Sequence, residues 1–194
     1  MNLEQSTHLS NNLPDAEFLQ EWLVHKLIPL NQTTMLYAQE DHYKSFLGLD
    51  ISMMIANGVD TLGKSKLTGV LYLCLENVAG FKERVQAIHN TNPSYTPIHI
   101  NSLPFDICEP AEVTKYVTFC LKTGIGFLVI DTLSHALLFG DESNPITARN
   151  VRNAFTTFNA NSITVLVIHH TGKNDSAGAR GSAILTYDLS SRLR

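Results

Sequence analysis

Residues 126–132 read Gly-Phe-Leu-Val-Ile-Asp-Thr, four consecutive apolar positions opened by a glycine and closed by one carboxylate. A strand with one wet face alternates apolar and polar side chains, so an unbroken run of this kind predicts a strand buried on both faces. Residues 163–168, Ile-Thr-Val-Leu-Val-Ile, resist an alternating reading in the same way and end on His169-His170. Strands covered on both sides need helices above and below them, which narrows the fold to a layered α/β arrangement.

The remaining pattern agrees. Residues 33–38 read as a strand, 39–43 as a polar loop, and 44–56 as a helix with Phe46, Leu47, Ile51, Met54 and Ile55 on its buried stripe and Asn57-Gly58 at its end. A second strand spans 69–75 and stops at Glu76, followed by a helix over 81–89, a short strand over 98–100 and a helix over 111–122. Beyond Asp131 come a loop over 134–144 and a helix over 145–159 with Pro145 at its start. Upstream, Phe18, Leu19, Trp22, Leu23 and Leu27 fall at helical spacing, so residues 16–27 read as an amphipathic helix closed by Pro29, with its start signal at Leu13-Pro14-Asp15. Residues 1–15 read as a poorly ordered lead-in, and residues 184–193 as a last strand. The expectation is a doubly wound, mostly parallel sheet flanked by helices, with residues 16–194 forming one core.

Composition bounds the function. With 44% apolar and 16% charged residues the chain is an ordinary globular protein. A net charge of −4 argues against a pervasive basic surface, so any nucleic-acid contact must come from a few clustered residues. Cys74, Cys108 and Cys120 are odd in number and lie in apolar runs, which reads as buried free thiols in a reducing, cytoplasmic setting. No apolar run approaches the roughly 20 residues that span a bilayer.

In open α/β sheets ligands gather outside the carboxyl ends of the strands, and a strand-end aspartate is where P-loop nucleotide hydrolases hold Mg²⁺. Asp131 stands at such a tip; its plainer use is to cap the turn that follows. The phosphate-loop pattern G-x-x-x-x-G-K-[ST] has a literal hit at residues 58–65, ending Gly63-Lys64-Ser65. That hit follows a helix and runs almost at once into a strand, leaving no room for the helix whose N-terminus the motif requires, so it reads as accidental. The proper context lies at residues 38–45, between the first strand and its helix, where Lys44 and Ser45 take the positions of the phosphate-binding lysine and the Mg²⁺-binding hydroxyl. Ala38 and Tyr43 replace the two glycines, and Glu40 and Asp41 would face the phosphates. Tyr43 either fills the phosphate site, swings aside, or stacks on the nucleotide. Three tips carrying Lys44-Ser45, Glu76 and Asp131 assemble a phosphate grip, a base to orient water and a metal ligand. A fourth adds His169-His170, one of which can report on a γ-phosphate; adjacent histidines on a strand point to opposite faces, which disfavours zinc.

These segments together resemble a known family. Residues 70–76 with 81–85, then 127–133, then Val-Leu-Val-Ile-His-His-Thr-Gly-Lys at 165–173 and Gly-Ala-Arg-Gly-Ser at 178–182 are similar to the RepA-like AAA ATPases, RecA-type hexameric replicative helicases of plasmids, phages and mobile elements. The resemblance covers residues 20 to 190. It implies ATP cradled at Lys44 and Ser45, Glu76 polarising the attacking water, Asp131 on Mg²⁺, and His170 or His169 as sensor. It further implies a homo-oligomeric ring around single-stranded DNA, with an arginine finger from a neighbouring subunit at Arg192 or Arg194 and DNA-phosphate contacts from Lys173 and Arg180. Against the family pattern, the phosphate loop lacks glycines and the chain reads as short at its C-terminus, so that either the sheet ends in an edge that must be covered or paired or a partner chain completes it. A glycine-less homologue that binds without hydrolysing, as a regulatory or protein-binding module, is the alternative function.

Overall fold

The computed structural model describes residues 20–170, apart from 40, 41, 61 and 142, together with the backbone of the strand at 191–193. The elements in chain order are strands β1 (Trp22–Val24), β2 (Ile28–Pro29) and β3 (Thr33–Ala38), helix α1 (Lys44–Asn57), β4 (Gly69–Cys74), α2 (Val78–Thr91), β5 (His99–Asn101), α3 (Pro110–Thr123), β6 (Ile125–Asp131), a 3₁₀ turn (Leu133–Ala136), α4 (Pro145–Ala160), β7 (Thr164–His170) and β8 (Ser191–Leu193). Strands β3 to β8 form one sheet in the order β5-β4-β6-β7-β3-β8, parallel at every pairing. This is the layered α/β architecture that the unbroken apolar runs predict, and it is that of a RecA-like P-loop NTPase, as the resemblance implies.

Those runs are explained by two separate cores. In β6, Leu128 and Ile130 pack with α3 and α4 through Val117, Val151 and Phe158, whereas Phe127 and Val129 pack with α1 and α2 through Leu49, Ile55 and Phe81. Successive side chains on a strand leave opposite faces, so a sheet with helices on both sides has no position for a polar residue until its tips. Phe127, Leu128, Val129 and Ile130 are all fully buried.

The helix expected over residues 16–27 is not there in its described part. Residues 22–29 form the antiparallel hairpin of β1 and β2, with Lys26 left-handed in the turn at φ 58°. Its backbone is satisfied from far along the chain: His25 N–H donates to the Lys64 carbonyl (2.9 Å), Lys66 N–H to the Leu23 carbonyl (2.9 Å), and Val24 bridges to Ser65. Leu23, Val24 and Ile28 are buried in the α1/α2-side core, so tertiary pairing and burial override a helical spacing that these residues also satisfy. The start signal at residues 13–15 lies outside the described residues. Helix α2 begins at Val78, earlier than the expected residue 81, because Asn77 caps it by accepting from the Gly80 N–H (3.2 Å). Of the expected last strand, residues 191–193 are described and pair in parallel with β3.

Residues 58–65 connect the end of α1 to the start of β4, at the opposite end of the sheet from the strand tips. Gly58 closes α1 in the left-handed conformation (φ 62°), and Asp60 Oδ1 accepts from the Ser65 N–H at 2.9 Å. The literal phosphate-loop hit is thus a connector.

Because the hairpin is packed as core, Ile28→Ala should lower unfolding free energy by about 2–4 kcal/mol. Urea denaturation followed by circular dichroism measures this, and a loss under about 0.5 kcal/mol would mark the hairpin as a loose appendage.

Candidate functional site

Register brings four tips together. Cys74 pairs with Asp131, Asp131 with Ile168, and Ala38 with His170, and beyond β4 the Leu75 N–H still donates to the Asp131 carbonyl at 2.8 Å. A cavity of about 350 Å³ opens over them, lined by His42, Tyr43, Lys44, Ser45, Phe46, Glu76, Asn77, Phe81, Arg84, Asp131, Thr132 and His170. Small-molecule sites commonly occupy about 300–1,000 Å³.

Lys44 opens α1 and is buried, 6% exposed. Its ammonium donates to the Ala38 carbonyl at 3.0 Å and to the Gln39 carbonyl, so the charge removed from water is met by the loop that leads into the helix. Tyr43 precedes it in the left-handed conformation (φ 56°, ψ 19°), the geometry glycine adopts freely and which costs a side-chain-bearing residue about 1–2 kcal/mol. Tyr43 therefore holds a backbone conformation that glycine would adopt freely. The Tyr43 ring is 74% exposed and meets Phe46 edge to face at 5.6 Å, so it stands at the rim and leaves the space beside Lys44 open. Helix α1 has no side-chain N-cap and no acid in its first turn. The N-terminus of an α-helix is the end whose amides and dipole suit an anion. The acids Glu40 and Asp41 lie outside the described residues.

Asp131 is 2% exposed. The buried Tyr72 hydroxyl donates to its Oδ2 at 2.7 Å and also lies 3.4 Å from the Ser45 carbonyl oxygen. Oδ1 of Asp131 has no hydrogen-bond partner among the described residues. Burial pushes the carboxyl above the ordinary aspartate range; the Ser45 and Tyr72 hydroxyls pull it back, Glu76 adds to the rise and Arg84 opposes it. Burial, reinforced by the Asp131 charge, also raises the Cys74 thiol to about 11. The peptide bond from Asp131 to Thr132 is cis.

Glu76 sits between two imidazoles: its Oε2 lies 3.7 Å from His170 Nε2 and 3.5 Å from His135 Nδ1. The same His135 nitrogen is 2.9 Å from Thr132 Oγ1. His170 lines the cavity, whereas His169 is fully buried and does not line it. Among the described residues no three His, Cys, Asp or Glu side chains group as a metal site by themselves. Cys74 and Cys120 are buried and Cys108 half-buried, all three as free thiols. Lys173, Arg180 and Arg194 lie outside the described residues, as does the Arg192 side chain.

Sequence reasoning did not single out Tyr72, Arg84 and His135. Tyr72 carried a readable signal, since a tyrosine within a doubly buried strand needs a partner for its hydroxyl. Arg84, whose guanidinium lies 4.1 Å above the Phe46 ring, and His135, in the 3₁₀ turn after Asp131, are brought in by tertiary structure alone.

A family model described as an AAA domain matches residues 9–176. The chain belongs to the AAA domain family. Membership makes this AAA domain a P-loop ATPase type of protein, with nucleotide binding implied. No curated protein sequence matches the chain. Among the described residues, no helix of the AAA domain is long and apolar enough to cross a membrane.

A carboxyl with a raised folded-state pKa holds its proton more tightly folded than unfolded. Its ionisation therefore costs stability above that raised value and costs nothing at acid pH, where both states are protonated. Asp131→Asn should accordingly raise the thermal midpoint at pH 7.5, by about 2–4 °C for each kcal/mol relieved, and the gain should shrink as pH falls toward 4. Calorimetric scans at several pH values test this, and an unchanged or lower midpoint at pH 7.5 contradicts it.

Proposed function

We propose that this AAA domain is an ATP-binding and ATP-hydrolysing RecA-like motor that acts on nucleic acid within a homo-oligomeric ring. The observation that supports it is the convergence of Lys44, Ser45, Glu76, Asp131 and His170 on one cavity at the strand tips. The triphosphate lies over the N-terminus of α1, with Lys44 turning from loop carbonyls to phosphate oxygens. Ser45 and Asp131 fit Mg²⁺: a hydroxyl and a carboxylate are the hard oxygen donors it takes, and the buried Oδ1 of Asp131 has no partner among the described residues. Bound there, the cation neutralises charge on the phosphate oxygens. Glu76 orients a water and takes its proton as the water oxygen bonds to the γ-phosphorus; the bond from that phosphorus to the β,γ-bridging oxygen breaks, and ADP leaves. His170, beside Glu76, reports the state of the γ-phosphate.

The nucleic-acid part follows from the RepA-like resemblance, with Lys173 and Arg180 on DNA phosphates and Arg192 or Arg194 reaching the neighbouring subunit's nucleotide. A partner chain extends the sheet beyond β8. The alternative, a binding module without turnover, is favoured by the absent glycines. Two features oppose it: Tyr43 keeps glycine's backbone conformation, and its ring leaves the phosphate space open.

Calorimetric titration of Mg²⁺–ATP, with phosphate release followed with and without single-stranded DNA, tests the proposal. Lys44→Ala should weaken binding at least tenfold. Glu76→Gln should keep affinity within about threefold while lowering turnover by roughly 100-fold or more, the scale of a lost general base. DNA should raise wild-type turnover. Absence of binding at millimolar nucleotide would overturn the proposal, and binding without turnover in any condition would leave the module.

A further inference from the structure

Glu76 stands just past the tip of β4, and its side chain is 38% exposed. A glutamate side chain is long and rotatable, so the strand end alone does not fix where its carboxylate points. A base that aligns water has to be held closely, since a misplacement of about 1 Å can cost on the order of 100-fold in rate. Two imidazoles approach the same oxygen of this carboxylate, Oε2: His170 Nε2 at 3.7 Å and His135 Nδ1 at 3.5 Å. They are placed differently. His170 lines the cavity and His135 does not. His135 belongs to the 3₁₀ turn Leu133–Ala136, whose first and last residues are fully buried. The His135 and Ala136 N–H groups both donate to the Thr132 carbonyl at 3.1 Å. The ring is anchored as well: its Nδ1 lies 2.9 Å from the hydroxyl of the buried Thr132, and that hydroxyl lies 2.9 Å from Ser134 Oγ.

We propose that His135 is a positioning residue for Glu76: through an Nδ1–H shared between Thr132 Oγ1 and Glu76 Oε2, it keeps the carboxylate aimed while ATP is hydrolysed. This rests on the hydrolytic role proposed for Glu76 above. The place of the proton follows from the neighbours. A bare Nδ1 would set its lone pair against a carboxylate oxygen, whereas Nδ1–H donates to Thr132 Oγ1 and the Thr132 hydroxyl then donates to Ser134 Oγ. At 3.5 Å the contact with Oε2 is at ion-pair rather than hydrogen-bond distance, and catalytic contacts that are long in the ligand-free site tighten when substrate binds. A second holder is needed because the first is set to leave. A His170 that reports the γ-phosphate turns toward that phosphate and away from Oε2, and Glu76 then keeps His135 as its imidazole partner among the described residues. His135 stays, because Thr132 and the buried turn hold its ring.

The test compares steady-state hydrolysis of Mg²⁺–ATP by wild type, His135→Ala, His135→Asn, Glu76→Gln and the variant carrying both Glu76→Gln and His135→Ala, with thermal midpoints to check folding. Asparagine is chosen because its amide nitrogen can donate from near the position of Nδ1. His135→Ala should lower kcat about tenfold with KM within about twofold of wild type, since a displaced base harms the reacting state and not binding. His135→Asn should recover to within about threefold of wild type. The double variant should turn over within about twofold of Glu76→Gln, because a residue that acts through Glu76 then has nothing left to position. An independent readout is ¹⁵N NMR of the imidazoles in the ligand-free protein: His135 should be the Nδ1–H tautomer, and its Nδ1 resonance should move in Glu76→Gln. Four results each overturn the positioning role and leave the ATPase proposal standing: unchanged kcat in His135→Ala, an asparagine variant no better than alanine, a full further loss in the double variant, or an Nδ1 signal indifferent to Glu76→Gln. If wild type shows no turnover in any condition, the proposed hydrolysis itself falls and the role of His135 with it.

Discussion

A sheet covered on both faces meets water only at the ends of its strands. Every other feature of this AAA domain follows from that constraint. Within β6 the chain has no freedom to place a polar group from Phe127 to Ile130, because one residue faces α1 and α2 and the next faces α3 and α4. Polar chemistry is therefore pressed into the first residue past the apolar run. Parallel pairing then puts Lys44, Glu76, Asp131 and His170 along one edge, although 126 positions separate the first from the last in sequence. The charges stay close to low-dielectric core, where each needs a partner: loop carbonyls for Lys44, the Tyr72 hydroxyl for one oxygen of Asp131.

The site is held at a cost in stability. Burial works against the charged form of Asp131, and Tyr43 occupies a backbone region that suits glycine. Neither arrangement is what packing alone would choose, and both sit where the cavity opens. Tyr72 links them, since its hydroxyl touches Asp131 and approaches the Ser45 carbonyl at the start of α1. One buried side chain thus ties the carboxylate tip to the helix that Lys44 opens.

Much of this was legible in the sequence where a single physical pattern governs. Unbroken apolar runs closed by Asp131 or His169-His170 can only be doubly buried strands, and glycine or proline at helix ends marks α1, α3 and α4. Context also set aside the literal hit at 58–65, because a strand must enter a phosphate loop and a helix must leave it, an arrangement the structure shows around Lys44 and not around Lys64. Where two patterns coincide, the sequence was ambiguous. Trp22, Leu23 and Leu27 fit a helix as well as a hairpin, and the decision came from backbone partners at Leu23 and Lys64 that no local window contains. His135 and Arg84 were invisible for a related reason: their part in the cavity depends on how a 3₁₀ turn and a neighbouring helix fold back over Glu76 and Phe46. Between His169 and His170 only the geometry of the strand tip discriminates, turning the second toward the cavity.

The order of the strands also says when the site comes into being during synthesis. Strand β3 precedes β4 and β6 in the chain, yet its sheet neighbours are β7 and β8, which follow them. On the ribosome, β3, Lys44 and α1 wait without sheet partners while the β4-β6 half assembles, and contacts so far apart in sequence are slow to close. Only the arrival of residues 164–170 seats β3 and sets Lys44 opposite Asp131. In an AAA domain of this topology the tips that line the cavity therefore meet only after β7 has been made, so chain order alone delays assembly of the cavity.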